Sequence, residues 1–100
     1  MHIITKKRLK EFYKDKPEAK APLDEWYQKL KNLRCNDLVQ LRQTFPHADL
    51  VGTCIVFNVG GNKFRVITWI NYEFHNVYIR NVLTHREYDQ DKWKTDCYKR

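Results

Sequence analysis

The apolar residues change their spacing once along this chain, and that change decides what it can fold into. Through residue 44 they recur at three and four residues, the period of a helix with one buried face. From residue 54 to 83 they run on or alternate, as they do in strands. Leu9, Phe12 and Tyr13 predict a first helix over residues 6–15, with Thr5 as its N-cap and Pro17 beyond its end. Leu23, Trp26, Tyr27, Leu30 and Leu33 share one face of a second helix that opens near Pro22, and they read as core. Asn36 is expected to cap a shorter third helix carrying Leu38, Val39 and Leu41, which ends before Pro46. Residues 46–52 read as loop.

The second half reads as a meander. Residues 54–59 form one strand, Gly60-Gly61 turn the chain, and residues 63–70 return beside it. The glycines lead from strand to strand, not from strand to helix, so they make a hairpin and not a phosphate cradle. Residues 71–76 turn again and 77–83 form the last clear strand. Thr84 and Glu87 have the spacing of a capping box, so a short helical turn should follow. Residues 1–4 suggest an edge or first strand, and the polar tail over 94–100 is expected to fray. The fold class is therefore α+β: N-terminal helices packed on one face of an antiparallel sheet, in a single domain over residues 1–100.

Charge narrows the function. The 100 residues carry 19 Lys and Arg against 12 Asp and Glu, a formal charge of +7. Seven of these cations fall in residues 1–20 against three acids, and eight fall in residues 61–100 against five. Both ends are basic, which suits a phosphate-rich partner. No apolar run reaches the roughly 18 to 20 residues of a membrane span, and the first residues lack the apolar stretch of a secretory signal. No membrane role is expected. Cys35, Cys54 and Cys97 are odd in number and widely spaced, which predicts free thiols in a reducing cytoplasm. They also lack the paired spacing of a structural zinc site, so no metal is assigned.

Arg65 and Arg80 interrupt otherwise apolar strands. Such a residue must face solvent, pair with a carboxylate or line a working cleft. Alternation puts Lys63, Arg65, Ile67 and Trp69 on one face of their strand. That face is either simply wet or a basic surface that holds a phosphate backbone. His85 stands just beyond the last strand, with Tyr88 three residues on. An imidazole, a phenol and two guanidinium groups are a set able to cleave RNA through its own 2′-hydroxyl. One group takes the 2′-OH proton, arginine stabilises the charged phosphorane, and another group protonates the leaving 5′ oxygen. Asp89 and Glu87 are weak metal candidates, since capping explains Glu87. Few exposed stacking platforms are expected.

The strings MHIITKKRL, LRQTFPHAD, VFNVGGNKFRV and VYIRNVLTHREYD resemble the HigB toxin family, within the wider RelE/ParE group of bacterial toxin–antitoxin systems. The resemblance runs to about Trp93. It implies a RelE-like fold and an mRNA endoribonuclease that works on translating ribosomes, without a cofactor. It also implies a HigA-like helix-turn-helix antitoxin, and contact with operator DNA only through that complex. Carried over by position, Arg65, Arg80, His85 and Tyr88 are the expected catalytic set. Lys63, Arg86 and the first-helix residues Lys6, Lys7 and Lys10 are the expected RNA contacts. Two other readings remain: a basic module that binds RNA or the ribosome without cutting, and a ParE-like gyrase inhibitor on the same fold.

Overall fold

Leu9 is fully buried on α1 (Lys6–Asp15), which forms over the residues its spacing predicts. The computed structural model describes residues 1–98. Thr5 takes the N-cap position in an extended conformation, although its hydroxyl makes no cap bond. A 3-10 turn at Pro17–Ala19 runs directly into α2 (Lys20–Lys31), so the second helix starts two residues before Pro22. Pro22 still lies in the first turn, where a missing N–H costs no helical bond. Leu23, Trp26 and Leu30 are buried on its inner face.

The cap of α3 (Leu38–Thr44) is Asp37 and not Asn36. The Asp37 carboxylate accepts from the Gln40 amide at 2.8 Å, while Asn36 turns away to His75. The segment read as a loop holds a three-residue strand, β2 (Asp49–Val51), which pairs antiparallel with β3 (Cys54–Val59). It was illegible because it is short and lies on an edge, with Leu50 54% exposed and no alternation to read.

β3, β4 (Phe64–Asn71) and β5 (Asn76–Thr84) form the expected antiparallel meander. Gly60 and Gly61, both at positive φ, turn the chain between β3 and β4. The sheet is mixed, however: β1 (His2–Ile4) joins the edge of β5 in parallel, giving the order β1-β5-β4-β3-β2. A parallel pairing needs a long connection, and the three helices together with β2, β3 and β4 lie between β1 and β5.

The sheet is packed on both faces. On one, α1, α2 and α3 bury the main core, in which Trp26 and Phe45 both meet Phe57 edge to face at 5.3 and 5.1 Å. The other face is expected to be either simply wet or a basic surface that holds phosphate. Instead the C-terminal segment folds back over it and forms a second cluster of Cys54, Val56, Ile67, Trp93 and Cys97.

Two expectations fail there together. Over Lys94–Tyr98 the tail is a helix, α5, and does not fray; residues 99 and 100 lie outside the described residues. Cys54 and Cys97 are not free thiols but a disulfide, with Cα atoms 5.2 Å apart, which leaves Cys35 as the free, buried thiol. Neither outcome is local. Cys97 reaches β3 only because Trp93 has an apolar slot to fill and because the Cys97 carbonyl accepts from both the amide and the hydroxyl of Thr53. Gly52 lies so close to that carbonyl that any side chain would strike it.

Candidate active site

The site is assembled at the end of the sheet where β4 begins and β5 stops. Thr84 ends β5 and starts α4 (His85–Asp89) through the predicted capping box. Its hydroxyl accepts from the Glu87 amide at 3.2 Å, and the Glu87 carboxylate accepts from the Thr84 amide at 3.0 Å. The His85 amide then donates to the Lys63 carbonyl at 2.9 Å. A five-residue helix is thus fixed at its N-terminus from two directions, which sets where His85 and Tyr88 stand.

Arg65 is the centre of the arrangement. It is only 6% exposed. Its Nη1 donates to the carbonyls of Asn62 and Phe64 at 3.0 and 3.2 Å, and its Nη2 approaches His85 Nδ1 at 3.3 Å. The guanidinium carbon also sits 4.9 Å from the centre of the Tyr88 ring. Two carbonyls, an imidazole and a phenol are its partners, and none of them is an anion. Burying a cation this far without a carboxylate is costly, and an incoming anion relieves that cost.

His85 is held between two charges. A guanidinium can only donate, so Nδ1 accepts and the ring proton resides on Nε2. That nitrogen faces Asp89 Oδ2 at 3.3 Å, one helical turn on. Asp89 was noticed in the sequence only as a weak metal candidate; the i, i+4 spacing was the signal for its role beside His85. Tyr88 is braced on its ring, which stacks on Trp93 with centroids 4.9 Å apart and planes at 14°. Among the described residues nothing hydrogen-bonds its hydroxyl.

The other expected residues divide. Lys63 and Arg86 lie exposed on the rim beside His85. Arg80 is set apart. A bulge in β5 leaves it without a β4 partner, between Ile79 opposite Thr68 and Asn81 opposite Ile67. It stands three residues from Leu83, the residue facing Arg65, which is about 10 Å along the strand. Arg80 Nε donates to Asp96 at 2.9 Å, and that bond raises its pKa above the ordinary value. The first-helix lysines lie on the far side of the sheet. Lys6 is folded over the Tyr27 ring at 4.8 Å, and Lys7 and Lys10 point into solvent from α1. Arg8, which the sequence reading passed over, reaches the edge of β5 and donates to the Arg80 carbonyl at 3.0 Å.

No group of three or more His, Cys, Asp or Glu that could hold a metal occurs among the described residues, and no described helix is long and apolar enough to cross a membrane. The arrangement brings a nearly buried guanidinium into contact with an imidazole and a phenol.

The family model of the HigB toxin, described as the RelE-like toxic component of a toxin–antitoxin system, matches residues 19–91. The chain is 36% identical over 92 residues to the mRNA interferase toxin HigB of Escherichia coli K12, covering 89% of this chain and 88% of that protein. The same identity and coverage hold for the mRNA interferase HigB of Shigella flexneri. It is 30% identical over 93 residues to the mRNA interferase HigB of Escherichia coli O6:H1, covering 90% of each. A mixed sheet carrying a nearly buried arginine beside His85 and Tyr88 therefore sits in a chain that belongs to the HigB family of RelE-like toxins.

Proposed function

We propose that the chain is the toxin of a toxin–antitoxin pair and an mRNA endoribonuclease that stops translation. The observation that carries this reading is Arg65: nearly buried, without an anionic partner among the described residues, and touching both His85 and Tyr88. The relatives named as mRNA interferases support the substrate class.

The chemistry follows from the contacts. A scissile phosphate that reaches Arg65 gives Nη2 an anion in place of His85 Nδ1. The Nδ1 lone pair is then free to take the proton of the adjacent 2′-hydroxyl, and Asp89 stabilises the imidazolium that results. The 2′ oxygen attacks phosphorus and the bond to the 5′ oxygen breaks. That oxygen leaves with a proton from the Tyr88 hydroxyl. The products are a 2′,3′-cyclic phosphate and a 5′-hydroxyl, and the proton held on His85 returns to Tyr88 through solvent. Arg65 stabilises the charge that builds on the phosphorane, the role for which a preorganised donor is most effective.

The substrate is mRNA on the ribosome. The protein's own cations hold phosphate, and the ribosome supplies the positioning that a small open site lacks. The partner that neutralises the toxin is a HigA-like helix-turn-helix antitoxin, operator DNA is reached only through that complex, and the site of action is the cytoplasm. Induction of the chain without antitoxin is expected to arrest growth while mRNA 5′ ends accumulate inside coding regions. Coexpression of the antitoxin gene should restore growth. Normal growth at confirmed expression of folded protein would overturn the reading.

A further inference from the structure

Trp69 and Tyr78 face each other across β4 and β5, with ring centroids 5.3 Å apart and planes at 36°. Their neighbours Ile70, Val77 and Ile79 all pack into the main core, so both rings project from the opposite face, the one that carries Arg65. Of the three tryptophans, Trp26 and Trp93 are 4% and 5% exposed while Trp69 is 37% exposed. The mechanism above uses neither ring, and neither belongs to a core cluster.

Arg80 stands two residues from Tyr78 and shares its face, where Asp96 meets it. Asp96 takes its Nε, while the two terminal nitrogens have no partner among the described residues. A groove of about 420 Å³ runs beside β5 from Asn81 to Leu83, the residue opposite Arg65; Gln90, Lys92 and Thr95 line it, with the carboxylates of Glu87 and Asp96 at its wall. Along β5 the order is therefore Tyr78, Arg80, Asn81 and Leu83, the last of them opposite Arg65. From Tyr78 to Thr84 that stretch is about 20 Å long.

We infer that Trp69 and Tyr78 form a stacking subsite for one unpaired RNA base, with Arg80 on the adjoining phosphate, and that the strand continues along the groove to Arg65 and His85. The inference rests on the nuclease reading for the direction of the strand. Base stacking on an aromatic face tolerates any base, and a neighbouring arginine adds a phosphate contact. The patch is two rings rimmed by Arg80, Asn71 and Asn76. That suits one base, whereas a docked antitoxin helix needs a stripe of apolar anchors over several turns. This pair also corrects the expectation of few exposed stacking platforms.

The test combines single-turnover cleavage on programmed ribosomes with titration of tryptophan emission by a 2′-O-methylated RNA hexamer, which cannot be cut through a 2′-hydroxyl. Trp69→Thr keeps strand propensity and removes the ring; Trp69→Phe keeps a ring and removes the emission. The hexamer is expected to quench wild-type emission and to leave Trp69→Phe unquenched. Trp69→Thr should raise the half-saturating ribosome concentration about ten- to a hundredfold at an unchanged maximal rate, and Trp69→Phe should stay near wild type. Quenching that is absent or survives in Trp69→Phe, or a wild-type half-saturation in Trp69→Thr, overturns the subsite. A Trp69→Thr protein that cuts normally but escapes its antitoxin assigns the rings to the antitoxin and overturns it as well. Wild-type protein that cuts nothing yet is quenched through Trp69 overturns the nuclease reading and leaves the subsite standing.

Discussion

Arg65→Ala is expected to lower the single-turnover rate of mRNA cleavage about a hundred- to a thousandfold, the usual effect of removing one preorganised donor. The loss follows from what Arg65 touches. It would contact the phosphorane, it holds His85 Nδ1, and it lies against the Tyr88 ring. Arg65→Lys should recover little, because an ammonium cannot reach two carbonyls, an imidazole and a phosphate from one plane. Arg80→Ala should cost less, about tenfold, since Arg80 is half exposed and already shares its charge with Asp96. Removing a side chain that is 6% exposed also leaves a cavity and two unpaired carbonyls. Each variant is therefore followed by its melting curve, and Tyr88→Phe, which keeps the stack on Trp93, serves as the variant that leaves packing intact. A folded Arg65→Ala protein that cuts at the wild-type rate would remove Arg65 from the mechanism.

Breaking the Cys54–Cys97 bond is expected to cost about 4 kcal/mol of stability. The bond closes a loop of 43 residues, and the chain entropy it removes from the unfolded state is of that size. Reduced protein, or Cys97→Ser, should therefore unfold at a clearly lower urea concentration than oxidised protein. The loss should be concentrated in α5, whose remaining anchors are Trp93 and the two bonds from Thr53 to the Cys97 carbonyl. Equal urea midpoints with and without reductant, at confirmed thiol status, would show that the bond contributes nothing. When the bond is reduced, α5 is held by those anchors and by Asp96 on Arg80.

These two results bear on parts of the molecule that were unequally legible in the sequence. α1, the buried stripe of α2 and the meander from β3 to β5 could be read because their periods are local. The capping box at Thr84 and Glu87 was legible for the same reason, and it delivers His85 and Tyr88 to one site. Alternation along β4 put Arg65 and Trp69 on one face, where the structure has them. What escaped depends on contacts between distant residues. The parallel edge strand, the return of the tail and the disulfide each join segments with no shared local pattern. The burial of Arg65 escaped with them, since a strand arginine reads as solvent-facing until the Tyr88 ring is known to lie against it. The bulge at Arg80 has no signature in the surrounding apolar run either, and it separates the two arginines that the sequence had paired.

The central claim is that His85 and Tyr88 move the protons of a cleavage carried out by the RNA's own 2′-hydroxyl. Single-turnover reactions on programmed ribosomes, with the chemical ends of the fragments determined, test it most directly. The account predicts fragments with 5′-hydroxyl ends and 2′,3′-cyclic phosphates. It also predicts rates about a hundred- to ten-thousandfold lower for His85→Ala and Tyr88→Phe, with ribosome binding near wild type. Fragments ending in 5′-phosphate, or wild-type rates in both variants, would contradict it.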